Sequence, residues 1–180
     1  MYHKIPILIE LTRLNRPIGI YLLLWPTISA LFVAAEGLPS FSLLLIFLAG
    51  TIVMRSAGCC INDFADQVID GGVKRTETRP LVSGALKRSE ALVCFGILSG
   101  LGFILVLFTN TETIFVSMFS ISIIVLYPFA KRFTNLPQVI LGIAFSCGIL
   151  MAFTATTETV PKIAYLLFIA NILWTIAYDT

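Results

Sequence analysis

Six apolar stretches of membrane-spanning length recur along the chain, and they leave little choice of fold. They run at about 18–35, 42–62, 90–109, 113–130, 136–156 and 162–179. Roughly 18–20 consecutive apolar residues suffice to cross a hydrocarbon core as helix. A segment in lipid has no water to satisfy its backbone, so only helices and closed barrels can span, and runs this long and continuous select helices. The breaks carry turn chemistry: "EGLPS", "GGVKRTETRPLVSG", "TNTE", "KRFTNLP" and "TTETVP". Composition agrees. Over 180 residues, 58% are hydrophobic and 12% charged, about half the charge of a soluble domain. The expected fold is all-α, a polytopic transmembrane helical bundle in contact with membrane lipid, and no nucleic-acid partner is expected.

The net charge of +2 matters less than where the charges fall. Of the twelve basic residues, only Lys162 lies on the side where Glu36, Glu112 and Glu158 collect. The others precede the first span (Lys4, Arg13, Arg16), flank spans two and three (Arg55, Lys74, Arg75, Arg79, Lys87, Arg88) or follow span four (Lys131, Arg132). By the positive-inside rule, the N-terminus and the loops after spans two and four are expected in the cytoplasm. The end of span six returns to that side. A basic start and "VAAE" also resemble a cleaved signal peptide, but the first apolar run is long and five more spans follow. Residues 1–16 read instead as an amphipathic interfacial lead-in.

Cys59, Cys60, Cys94 and Cys147 have neither disulfide nor zinc spacing and are expected to be small packing residues. Gly96 and Gly100 form a small-xxx-small pair suited to close helix contact. His3 carries no assigned role, and no repeat or low-complexity tract is evident.

Charge is concentrated in "GCCINDFADQVIDGGVKRTETRP", residues 58–80. If span two stays helical to residue 70, Asn62, Asp66 and Asp70 recur at i, i+4 and i+8 on one face, with Asp63 close beside. Arg55 projects onto that face about 10 Å deeper. Oxygen-only donors select hard cations, and magnesium typically takes one or two carboxylates, with water and phosphates completing its shell. Carboxylates followed by Lys74, Arg75 and Arg79 therefore suit a magnesium-diphosphate, the cations taking the free phosphate oxygens. A solvated, topology-setting loop accounts for Lys87, Arg88, Glu77 and Glu90. It does not account for aligned aspartates above an ionisable residue inside the membrane. A second cluster, "YPFAKRFTNLP", sets Tyr127, Lys131 and Arg132 at the same end of span four, with Pro128 between. It reads equally as a membrane anchor.

These strings resemble the UbiA superfamily of intramembrane aromatic prenyltransferases, and within it the bacterial para-hydroxybenzoate polyprenyltransferases. "RPIGIYLLLWPT" is similar to the family's first helix, and "MRSAGCCINDFADQVIDGGVKRTETRPLVSG" to its first aspartate-rich motif, NDxxDxxxD. "LYPFAKRFTNLPQVILG" is similar to its YxxxK region, and "ANILWTIAYDT" to the run into its second aspartate-rich motif. The resemblance implies a single transmembrane prenyltransferase domain over 1–180, with 63–89 as the cytoplasmic loop bearing the first motif. Family members continue past "YDT", so about six of nine expected helices are present, and residues 1–180 alone are expected to be inactive. It implies transfer of a polyprenyl group from polyprenyl diphosphate to 4-hydroxybenzoate, in ubiquinone biosynthesis at the bacterial inner membrane. Asn62, Asp66, Asp70 and Asp179 would bind Mg2+, with Asp63 as accessory. Lys74, Arg79 and Lys131 would bind diphosphate. Asp66, Asp70, Lys131 and Tyr127 would be the catalytic set, and Arg132, Arg16 and Arg55 would face the aromatic substrate. The competing readings are another aromatic acceptor (homogentisate, a naphthoate, haem) and an ion-coupled transporter using Asp66, Asp70 and Arg55.

Overall fold

A computed structural model describes residues 4–179 except 71, 73, 75 and 131, and not the side chains of 68 and 69. The described residues form seven helices and no strand: α1 (Ile5–Leu11), α2 (Ile18–Ala34), α3 (Phe41–Asp70), α4 (Arg88–Val106), α5 (Thr111–Ala130), α6 (Pro137–Thr157) and α7 (Lys162–Asp179). α3 to α7 are each long and apolar enough to cross a membrane. α2, with 17 residues, is a shorter apolar helix at the low end of that range.

The termini of these helices follow from local chemistry. α1 ends in a Schellman motif: Leu14 N–H reaches Ile9 O at 3.1 Å and Arg13 N–H reaches Glu10 O at 3.1 Å. Arg13 holds the left-handed position at φ 55, where glycine is usual. Asn110 caps α5 by accepting from Thr113 N–H at 2.9 Å, and its amide donates to Thr154 O at 2.6 Å, tying α5 to α6. α3 runs unbroken through the aspartates to Asp70, so residues 63–70 belong to the helix and the connecting loop starts only after it.

α6 is the centre of the bundle, packing on α2, α5 and α7, while α3 packs chiefly on α4 and α2. Two apolar clusters hold the ends. One joins Leu31, Phe47, Ile149 and Phe153; the other, at the aspartate end, joins Leu11, Cys60, Leu81, Leu86 and Ala91 under the loop after α3. Helices approach closely where side chains are small. At Gly142 a Cβ would stand 3.2 Å from the backbone of Ile172, so α6 lies directly against α7. Beside it Asn171 donates to the Ser146 hydroxyl at 2.9 Å. The Gly96 and Gly100 pair differs from expectation: a Cβ at either would meet nothing within 4 Å. That face of α4 is covered by no described helix; the close approach on α4 is at Gly102, against Met54. Cys60 and Cys94 meet as thiols across α3 and α4, at 3.7 Å.

Candidate active site

The last turns of α3 carry the aspartates into the protein rather than out to solvent. Asp63, Asp66 and Asp70 are only 3%, 7% and 8% exposed. A buried carboxylate is costly unless compensated, and two arginines supply the compensation. Asp63 Oδ1 accepts from Arg13 Nη2 at 2.8 Å and from Arg79 Nη1 at 3.2 Å. The same Arg79 nitrogen pairs with Asp70. The loop is pinned further by Thr76, whose hydroxyl donates to Asp70 O at 2.8 Å, and by Gln67, whose amide donates to Leu81 O at 2.7 Å. Burial works against the Arg13 charge, but the Asp63 carboxylate outweighs it, and the pKa of Arg13 stands above the ordinary guanidinium value.

A second group of charges gathers on the inner side of the site. Tyr127 of α5 lies within electrostatic reach of Asp66 and Arg55 of α3 and of Asp179 of α7. Three helices thus converge there. Arg55 donates through Nη1 to Cys59 Sγ at 3.2 Å, and its guanidinium carbon is 5.7 Å from the centre of the Phe145 ring, within cation–π range. Its Nε is buried and has no hydrogen-bond partner among the described residues. Beginning at Met54, one residue from Arg55, an apolar cavity of about 150 Å³ extends away from the aspartates, lined by Leu23, Thr27, Thr51, Ile124 and Gly148 among others.

The structure therefore sets Asp66, Arg55 and Asp179 each within electrostatic reach of Tyr127, and separately joins Asp63 and Asp70 to Arg79. Asn62 is half-buried on the helical turn before Asp66. Lys74 and Arg16 are exposed. Arg132 is exposed too, and it donates to Ala65 O at 3.1 Å, beside the Asp66 turn. Lys131 lies outside the described residues. Sequence reasoning placed Arg13 only as a topology charge. Its one signal was an arginine at the end of an otherwise apolar lead-in, with nothing to connect it to Asp63.

Among the described residues, no three His, Cys, Asp or Glu side chains converge into a metal cage. Asp66 and Asp70 at i, i+4 with Asn62 are nonetheless an all-oxygen set of the size magnesium uses when a substrate phosphate completes its shell.

Comparison with known proteins identifies the family. The sequence model of the UbiA prenyltransferase family matches residues 23–180. The 4-hydroxybenzoate octaprenyltransferase of Pseudomonas syringae pv. tomato is 57% identical over 172 residues, covering 96% of this chain and 58% of that protein. The enzyme of that name from Ectopseudomonas mendocina is 58% identical with the same coverage. The chain therefore spans under two thirds of the length of the curated relatives it matches. Among solved structures, a UbiA homolog from Aeropyrum pernix K1 superposes with a TM-score of 0.77 at 26% identity, over 89% of this chain and 61% of that one. A UbiA homolog from Archaeoglobus fulgidus bound to GPP and Mg2+ shares the fold at a TM-score of 0.78 and 16% identity, over 93% of this chain and 60% of that one. By its bundle, its buried aspartate turns and this span of sequence, the chain belongs to the UbiA prenyltransferase family.

Proposed function

We propose that this chain forms the donor-binding part of an enzyme that transfers a polyprenyl group from its diphosphate to 4-hydroxybenzoate, at the ring carbon beside the hydroxyl. The observation that carries the proposal is the order of features along α3. Buried carboxylates stand at its end, the Arg55 cation lies about 16 Å deeper by helical rise, and the apolar cavity begins at Met54. A charged head, an aromatic acid and an isoprenoid tail require that sequence of environments. The names of the Pseudomonas relatives support the acceptor and donor.

Each part of the reaction has residues suited to it. The allylic C–O bond breaks and its electron pair leaves with the diphosphate; the ring carbon then forms the new C–C bond and loses its proton. Asp66 and Asp70, with Asn62, would hold magnesium, which when bound supplies neutralisation of the leaving group's charge. Arg79, Lys74 and Lys131 take the remaining phosphate oxygens. Asp179 borders the same site from α7. Tyr127 and Phe145 present aromatic faces to the developing allylic cation, and the apolar walls keep water from it. Of the three arginines open to the acceptor, Arg16 and Arg132 are exposed, whereas Arg55 is inside the bundle with its Nε unpartnered. We assign the acceptor carboxylate to Arg55, because a carboxylate in a low-dielectric cavity needs a cation at hand.

The test is a chimera in which this chain replaces the matching segment of the P. syringae relative, expressed in a bacterium lacking its own enzyme. The chimera is expected to restore prenylation of 4-hydroxybenzoate in a magnesium-dependent manner. A folded chimera that prenylates a different aromatic acceptor and ignores 4-hydroxybenzoate would overturn the acceptor assignment. The proposed location is the bacterial inner membrane, with the aspartate end cytoplasmic. A reporter fused after Gly72 should then be cytoplasmic, and one fused after Glu112 periplasmic, on the strength of the cation asymmetry. Inverted signals would put the site on the wrong face for a cytosolic acid.

A further inference from the structure

Gly19 sits in the first turn of α2 and is buried against α3. A Cβ built at this position would lie 2.5 Å from Nε, 2.6 Å from Nη2 and 2.9 Å from Cζ of Arg55. These separations are shorter than any real Cβ contact, so one side would have to move. The obstacle is the free end of a long side chain, not backbone. An alanine here would therefore leave the two helices in place and displace the guanidinium.

The geometry points to Gly19 as a positioning residue: it fixes where the Arg55 guanidinium sits, and so makes the site selective for an aromatic acceptor bearing a carboxylate. This rests on the assignment of Arg55 to the acceptor carboxylate. Three neighbours define the guanidinium's place. Nη1 is held by Cys59 Sγ at 3.2 Å, the ring of Phe145 flanks it at 5.7 Å, and α2 forms its floor at Gly19. The Nε–Nη2 edge faces Gly19 and is the edge that a Cβ at position 19 would strike, so a carboxylate meets the guanidinium from its Nη end, whose position this contact sets. Cys59 and Phe145 constrain the group from elsewhere, so a guanidinium pushed off α2 loses that alignment. Small displacements of a positioned ionic contact cost affinity steeply.

A glycine kept only for helix packing makes a different prediction, and a double-mutant cycle separates the two. Gly19→Ala, Arg55→Lys and the double variant are made in the full-length chimera. KM for 4-hydroxybenzoate, KM for polyprenyl diphosphate, kcat and Tm are measured for each. Gly19→Ala is expected to raise KM for the aromatic acid at least about tenfold, the mark of lost acceptor binding. KM for the diphosphate and Tm should stay at the parent values. In the Arg55→Lys background the same substitution should add nothing, because lysine has neither Nε nor Nη2 to collide with. A rise with Arg55→Lys and none with Gly19→Ala would overturn the role of Gly19 and leave the Arg55 assignment standing. No change in the aromatic acid KM with Arg55→Lys would overturn that assignment, and this inference with it. An equal penalty from Gly19→Ala in both backgrounds, or a lowered Tm, would make it a packing glycine only.

Discussion

Asp66→Asn and Asp70→Asn are each expected to lower turnover of the full-length enzyme by about a thousandfold, roughly 4 kcal/mol of transition-state stabilisation. An amide keeps an oxygen of the same size but not the charge that draws a hard cation and its diphosphate. Turnover against magnesium concentration gives the sharper measure, because both substitutions should move half-activation to higher magnesium. The two should also differ. Asp70 shares Arg79 with Asp63, and its backbone carbonyl receives Thr76. Asp70→Asn should therefore loosen the loop after α3 and speed its cleavage by added protease. The tie next to Asp66 runs from Arg132 to the backbone of Ala65, which the substitution leaves in place, so Asp66→Asn should leave the loop intact. Near-normal turnover in both variants would remove the aspartates from the reaction.

Asp63→Ala is expected to act differently, through stability. The Asp63 side chain is 3% exposed, and one of its carboxylate oxygens accepts from both Arg13 and Arg79. Removing it takes the carboxylate from Arg13 and leaves Arg79 with Asp70 alone, and both guanidiniums are largely buried. Breaking a fully buried pair typically costs ~3–5 kcal/mol. Both arginines keep part of their surface in solvent, so the expected loss is about 2 kcal/mol, read as a lowered Tm in detergent or bilayer nanodiscs. Arg13→Met should reproduce part of it. The magnesium dependence of the surviving folded enzyme should shift less than in Asp66→Asn. A large magnesium shift with unchanged Tm would return Asp63 to the metal ligands.

The contrast between these aspartates shows where sequence reading stops. Helix number, order and near-boundaries were legible, because a run of apolar residues long enough to span lipid permits one solution. The shared face of Asn62, Asp66 and Asp70 above Arg55 was legible too, since a single helix fixes it by its own period, and α3 does run through to Asp70. The partners of those residues were not. Arg13 reaches Asp63 across 50 positions, and nothing local to either residue encodes the meeting. Glycines illustrate the same limit. Gly96 and Gly100 have the spacing of a packing motif but face away from every described helix, whereas Gly19 and Gly102 have no such spacing and receive Arg55 and Met54. Which face of a helix meets a neighbour depends on the other helices. α4 is covered chiefly by α3, so Gly96 and Gly100 are left on an open side.

The length of α3 has a consequence for how the proposed lipid-borne donor would be handled. The helix has 30 residues, about 45 Å at 1.5 Å per residue, against a hydrocarbon core of roughly 30 Å. Counted from Phe41, Asp66 and Asp70 stand roughly 38 and 44 Å along it, at headgroup depth. An isoprenoid diphosphate dissolved in a bilayer already rests with its charges at that level and its tail beneath. Such an amphiphile can pass sideways from the leaflet into the bundle without changing depth. Its phosphates then never shed their hydration in hydrocarbon, and its tail is never drawn into water. Transfer from membrane to protein becomes an exchange between two matched environments, and binding energy stays available for the bond that must break.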